Sequence, residues 1–273
     1  MKQILSVFIL FIFLLIEGLH VQADPLDREH EKEIADKLSE EVVASEVLQL
    51  EANNETFLAL LNNQINEKAL GAIIILHGMG AHPDWPQTIL PIRTAFPDYG
   101  WTTLSIQLPL IAPKNNVEDY GKTFERAKER IKAAIRFLHE RKFRNIVAIG
   151  HSFGAASMLF YLEKEEHINA IAAIGLQNYA FVKPPFDVLN FIEKTKIPIL
   201  DIYGSRDFKE AVDHAADRRL AAKKGGNNQY LQIDIEGADH YFTKMEDLLI
   251  KRIRGWLEKA APGVSVVVNK GEE

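Results

Sequence analysis

The stretch of this chain best suited to chemistry is Gly150-His151-Ser152-Phe153-Gly154, a serine with a glycine two residues away on either side. Those glycines have a physical purpose if Ser152 is a nucleophile. A tight strand-to-helix turn strains the nucleophile's backbone and brings neighbouring chain so close that side chains would clash. Ser152 would then stand at the N-terminus of a helix, whose dipole favours developing negative charge. The competing role is a helix N-cap, which does not require glycine on both sides. Because a serine hydroxyl is a poor nucleophile at neutral pH, the first role demands a base within hydrogen-bond reach and a carboxylate to orient that base.

The elements around the motif decide whether such a turn exists. "NIVAIG" before it reads as a buried strand and "AASMLFYL" after it as a helix. From Ala69 onward strands and helices alternate: "AIIILHG", a helical stretch near Pro91 to Phe96, "TTLSIQLP", then one long amphipathic helix over "VEDYGKTFERAKERIKAAIRFLHERK". After the motif come "INAIAAIGL", a helix around Val188 to Lys194, "IPILDIYG", a helix after Phe208, "YLQIDI", and a last helix from about Tyr241 to Lys259. Apolar β-branched runs without polar alternation indicate strands buried on both faces. The fold class expected is α/β, a mostly parallel central sheet with helices on both faces. The roughly 20 residues "QNYAFVKPPFDVLNFIEKTK" leave room for a small lid or none.

Outside that region the chain is read as three further segments. Residues 1–23 carry Lys2, an apolar run from Ile4 to Ile16 and a small-x-small ending Val21-Gln22-Ala23, the pattern of a secretory signal peptide. The run falls short of the roughly 20 residues that span a bilayer, so no stable membrane span is expected after processing, and the mature protein is expected to be periplasmic or secreted. Residues 24–62 read as a solvated amphipathic helix and an edge hairpin turning at Asn53-Asn54, residues 63–262 as the α/β domain, and 263–273 as a tail. With no cysteine, the chain forms no disulfide, thiol nucleophile or thiolate zinc site. A net charge of −6, unchanged by loss of Lys2 and Glu17 with the leader, gives no basis for nucleic acid as a partner.

The motif and its frame resemble the α/β-hydrolase superfamily from about Gly71 to Lys259, with "LHGMGAHPDW" after the first core strand, "YGSRD" after a late strand and "GADHYF" after the last. "HGMGAHPDW" together with "GWTTLSIQLP" is most similar to a bacterial family of exported α/β-hydrolase-like proteins of unassigned substrate. The resemblance implies the chain order serine, acid, histidine. His240 fits the base, since it follows a strand's C-terminal end, where α/β sheets place their sites. Asp207, after a short Gly-Ser turn, fits the acid, with capping of the next helix as its other role. Oxyanion donors are expected from the backbone N–H groups of Phe153 and Met79.

His77, Gly78, Asp84, Trp85 and Tyr179 are further candidates for contact with substrate. Asp84 and Trp85 either line a pocket rim or anchor their loop, and Tyr179, Phe181 and Phe186 either wall an acyl or aryl pocket or pack down. The expected function is an exported serine hydrolase acting on an ester or related acyl bond of a small-molecule or acylated envelope substrate, without cofactor or metal. One alternative is a non-catalytic envelope binding or scaffolding protein that keeps the fold, although a scaffold has no need of nucleophile, acid, base and oxyanion motif in order; another, not separable from hydrolysis by sequence, is acyl transfer or peptidase chemistry through the same serine.

Overall fold

A computed structural model describes residues 26–43, 45–65, 68–113, 115–163 and 167–263. The expected leader over 1–23, and the expected tail apart from Gly263, lie outside the described residues. Among the described residues no helix is long and apolar enough to cross a membrane.

The strands β1 (Glu46–Ala52), β2 (Glu55–Asn62), β3 (Gly71–Leu76), β4 (Trp101–Ile106), β5 (Ile146–His151), β6 (Ile171–Ile174), β7 (Ile199–Arg206) and β8 (Tyr230–Asp239) form one sheet in the order β1-β2-β4-β3-β5-β6-β7-β8. β1 and β2 pair antiparallel, as do β2 and β4, and every other neighbouring pair is parallel. β3, β4 and β5 are buried at every residue. Alternate side chains enter opposite cores: Ala72, Ile74 and Ala148 pack with α3 (Phe124–Glu140), α4 (Phe153–Leu162) and α5 (Val188–Lys194). Ile73, Ile75, Val147 and Ile149 pack with α2 (Ile89–Ala95) and α8 (Glu246–Ala260). Helices on both faces explain why these strands show no polar alternation, and the architecture is the α/β-hydrolase fold.

Three local expectations change. The segment from Val117 is not one helix: Val117–Thr123 is a 3₁₀ helix and the α-helix starts at Phe124. A Cβ on Gly121 would lie 2.5 Å from the Lys183 carbonyl carbon, so this turn is packed against the 179–186 segment. The last helix starts at Glu246 rather than near Tyr241, because Phe242 (φ 56°) and Lys244 (φ 63°) take left-handed conformations that end regular structure between β8 and α8. His240 is thereby a loop residue.

The N-terminal helix, α1 (Arg28–Glu41), is amphipathic as expected but is docked rather than solvated all round, with Glu31, Ala35 and Leu38 buried. Ala35 and Leu38 pack on Leu58 and Leu60 of β2. The buried Glu31 carboxylate accepts from Arg130 at 2.7 Å and from the Leu110 amide at 2.8 Å. Charges this buried persist when paired and hydrogen-bonded. The hairpin turn at Asn53 (φ 52°) and Asn54 (φ 61°) has the two left-handed residues of a type I′ connection, but only β1 is an edge, since β2 also pairs with β4.

Candidate active site

Ser152 occupies the junction of β5 and α4 with φ 54° and ψ −116°, a conformation that L-residues hold only where surrounding structure enforces it. The enforcement is visible. The Ser152 amide donates to the Ile174 carbonyl of β6 at 2.8 Å, and the Ser152 carbonyl accepts from Ala155 and Ala156. A Cβ on Gly154 would sit 2.2 Å from the Leu76 carbonyl oxygen and one on Gly150 2.5 Å from the Ala155 amide nitrogen, so both flanking glycines are steric requirements of the turn. The Ser152 side chain makes no capping bond to α4. Its Oγ instead accepts from Gln177 Nε2 at 3.2 Å and shares a hydrogen bond with Tyr179 Oη at 3.1 Å.

Asp207 and His240 emerge from neighbouring parallel strands, β7 and β8. His240 Nδ1 lies 2.6 Å from Asp207 Oδ1, and both side chains are buried. Donation to a carboxylate oxygen places the ring proton on Nδ1 and leaves Nε2 as the basic nitrogen. The Phe208 amide donates to the same Oδ1 at 2.7 Å, while Oδ2 is buried without a hydrogen-bond partner. Gly175 (φ 58°) at the end of β6 makes room for the pair, since a Cβ there would lie 3.0 Å from the His240 ring and 3.1 Å from Asp207 Oδ2. The Phe208 ring stacks on His240 with centroids 4.2 Å apart.

His151 is a positioning residue that sequence order alone set aside. Its Nε2 donates to the His240 carbonyl at 3.0 Å, and its ring lies 4.6 Å from that of His240, so the elbow carries its own brace for the loop that bears His240. Burial lowers the pKa of His151 to about 3, and burial also lowers that of His77 to about 3. Unfolded, both would titrate near 6.5. Between those values these two imidazoles together hold about two more protons in the unfolded chain than in the folded one, so their contribution to stability is present above pH 6.5 and is lost as pH falls, at about 3 kcal/mol per pH unit. The melting temperature should drop steadily on acidification from pH 6.5, and His151→Asn should show about half of the histidine-dependent slope. An acid profile in His151→Asn parallel to that of the wild type would refute this account.

The remaining candidates divide. Phe153 is the first residue of α4, so its amide is among those an α-helix leaves without an internal partner. Gly78 brings the loop carrying Met79 against the elbow, where a Cβ on Gly78 would lie 3.2 Å from His151 Nδ1 and 3.5 Å from Ser152 Cβ. Tyr179 is buried with its hydroxyl on Ser152 Oγ. His77 is not placed to meet a substrate: Nε2 accepts from the Leu108 amide at 2.9 Å and pins the first loop to the end of β4, while Nδ1 is taken up within the loop by the Gly78 carbonyl at 2.8 Å. Asp84 likewise serves its loop, paired with the buried Arg93 of α2, whose guanidinium also donates to Asn62. Trp85 packs on the α2–α8 core. For Asp84 and Trp85 the anchoring role is the one observed. Gln177 was missed by sequence reasoning, although a polar residue just beyond a buried strand's C-terminal end is the signal to look for. Among the described residues no group of three or more His, Asp or Glu could hold a metal ion.

Solved structures share the fold at low identity. Est1E from Butyrivibrio proteoclasticus superposes with a TM-score of 0.65 at 15% identity, over 78% of this chain and 98% of its own. The Pyrococcus furiosus esterase Pf2001 gives 0.65 at 18% identity, over 82% and 94%. Thermogutta terrifontis esterase 2, in a form phosphorylated by paraoxon, gives 0.66 at 16% identity, over 81% and 96%. Among curated proteins none matches the chain. Over residues 20–120 and 112–259 the sequence matches the family described as protein of unknown function (DUF3530), and with that match covering most of its 273 residues the chain belongs to that family.

Proposed function

We propose that this protein is a serine hydrolase that cleaves an ester or related acyl bond through an acyl-enzyme on Ser152. The observation that carries the proposal is the strained elbow: Ser152 is held at φ 54° with a side chain that does not cap the helix it begins. A capping serine would donate its role to α4 and would not need an enforced left-handed backbone. The hydrogen-bonded His240–Asp207 pair supports the reading, since it supplies a base with a defined tautomer on the adjacent strand ends. In this mechanism His240 Nε2 takes the Ser152 proton as Oγ attacks, the Phe153 and Met79 amides receive the oxyanion, and His240 returns the proton to the leaving alcohol. That esterases share the fold makes this chemistry a natural first test without deciding the substrate.

A fluorophosphonate probe tests the assignment directly. It should label the wild-type protein at Ser152 and leave Ser152→Ala unlabelled. A wild-type protein that is folded yet neither labelled nor active on p-nitrophenyl esters would instead favour the non-catalytic envelope role. The proposal includes export: the mature chain should begin at Asp24 and occur in the periplasm or medium, acting on a small-molecule or acylated envelope substrate. Intact mass spectrometry of the natively expressed protein checks this, and retention of Met1 would exclude it.

A further inference from the structure

Gln177 and Tyr179 have no part in a serine–histidine–aspartate relay, yet they hold the nucleophile's hydrogen bonds. Gln177 Nε2 is 3.2 Å and Tyr179 Oη 3.1 Å from Ser152 Oγ, and all three side chains are buried. Tyr179 is firmly placed: its carbonyl accepts from the Val182 and Phe186 amides at 3.2 Å each, and its ring meets Phe153 edge-on at 6.2 Å. Burial raises the pKa of the Tyr179 hydroxyl well above its ordinary value, so it remains a neutral phenol able to donate. Resting on the hydrolase reading above, we infer that Gln177 and Tyr179 are a donor pair for Ser152 Oγ, holding the free hydroxyl and then receiving the serine oxygen as it leaves the acyl-enzyme.

The charge on Oγ decides which half-reaction the donors serve. In acylation the Oγ–H proton passes to His240 Nε2, the Oγ–C bond forms, and the carbonyl π pair moves onto oxygen. Collapse of that intermediate breaks the substrate's C–O bond and returns the proton to the alcohol. Donors to Oγ meet partial negative charge on it in the attack transition state too, but they already stabilise the starting hydroxyl, so their net gain in acylation is small, whereas deacylation starts from an ester oxygen, a weak acceptor. In deacylation His240 takes a proton from water, the water oxygen bonds the carbonyl carbon, and collapse sends the C–Oγ bonding pair onto Oγ, which His240 then protonates. Here the serine oxygen gains negative charge in the transition state. Donors already aimed at it strengthen, and more so in a buried site. Losing a donor therefore slows deacylation and spares acylation.

The test is the hydrolysis of p-nitrophenyl butyrate, whose good leaving group makes deacylation limiting. Tyr179→Phe and Gln177→Met should each lower kcat about tenfold, lower KM in the same ratio, and leave kcat/KM within about twofold. Butyryl-enzyme should accumulate in intact-mass spectra of acid-quenched variants. Partial unfolding cannot imitate this, because it lowers kcat and kcat/KM together and leaves KM unchanged. A parallel fall of kcat and kcat/KM, or unchanged kcat, with no acyl-enzyme accumulation, in variants of a wild type that does label with fluorophosphonate, would overturn the donor pair alone. Failure of the wild type to label or turn over would overturn the hydrolase reading and this inference with it.

Discussion

Ser152→Ala is expected to remove ester turnover, with a loss on the order of 10⁶-fold in kcat, while the melting temperature stays near that of the wild type. The side chain lost makes two hydrogen bonds, to Gln177 and Tyr179, which can then bond each other or water, and alanine inherits the same backbone strain at φ 54°. Ser152→Gly should be equally inactive but more stable by about 1 kcal/mol, because glycine occupies positive φ without penalty. Ser152→Ala combined with His240→Ala should cost no more than Ser152→Ala alone, since either change already stops proton transfer and attack. Asp207→Asn should slow turnover on the order of 10⁴-fold without unfolding, as the amide cannot demand the Nδ1-protonated tautomer that the 2.6 Å contact now enforces. Steady-state kinetics beside thermal melts read all four. Wild-type turnover in Ser152→Ala would make Ser152 an ordinary turn residue.

Gly154→Ala should be among the most damaging single methyl additions in the protein. The new Cβ would lie 2.2 Å from the Leu76 carbonyl oxygen and 2.8 Å from that of His77, both backbone atoms at the end of a strand buried on both faces. Neither can move without shifting β3 or lifting α4 off the sheet, so a cost above about 3 kcal/mol is expected, or a melting temperature lower by about 10 °C. Gly255→Ala is the matched control. It lies within α8 with nothing within 4 Å of the added methyl, and should be neutral or stabilising by up to about 1 kcal/mol. Equal melting temperatures for the two variants would mean that the elbow is loosely packed and that Gly154 is not a steric requirement.

The sequence by itself determined the sheet and the elbow. Apolar β-branched runs specify strands buried on both faces, a local property of six or so residues, and the spacing of Gly150, Ser152 and Gly154 encodes a tight turn, although only Gly150 meets its neighbour, Ala155, within the same short stretch, while Gly154 is closed off by Leu76 of β3 and the Ser152 amide by Ile174 of β6. The positions of Asp207 and His240 were legible for a related reason, since both follow the ends of recognisable strands and parallel strands deliver their ends to one edge of the sheet. What surrounds those residues was decided only by the tertiary structure. Gln177 and Tyr179 reach Ser152 across 25 and 27 residues, along a path set by how the 179–186 segment packs on Gly121 and the Phe153 ring. His77 became a loop anchor because Leu108, 31 residues on, presents an amide to it, and α1 docked because Glu31 meets Arg130 across 99 residues. Periodicity and turn chemistry report the conformation of a segment and which of its faces is buried. The partner that satisfies a buried polar group is chosen by packing between segments, and that information is carried by no single stretch of the chain.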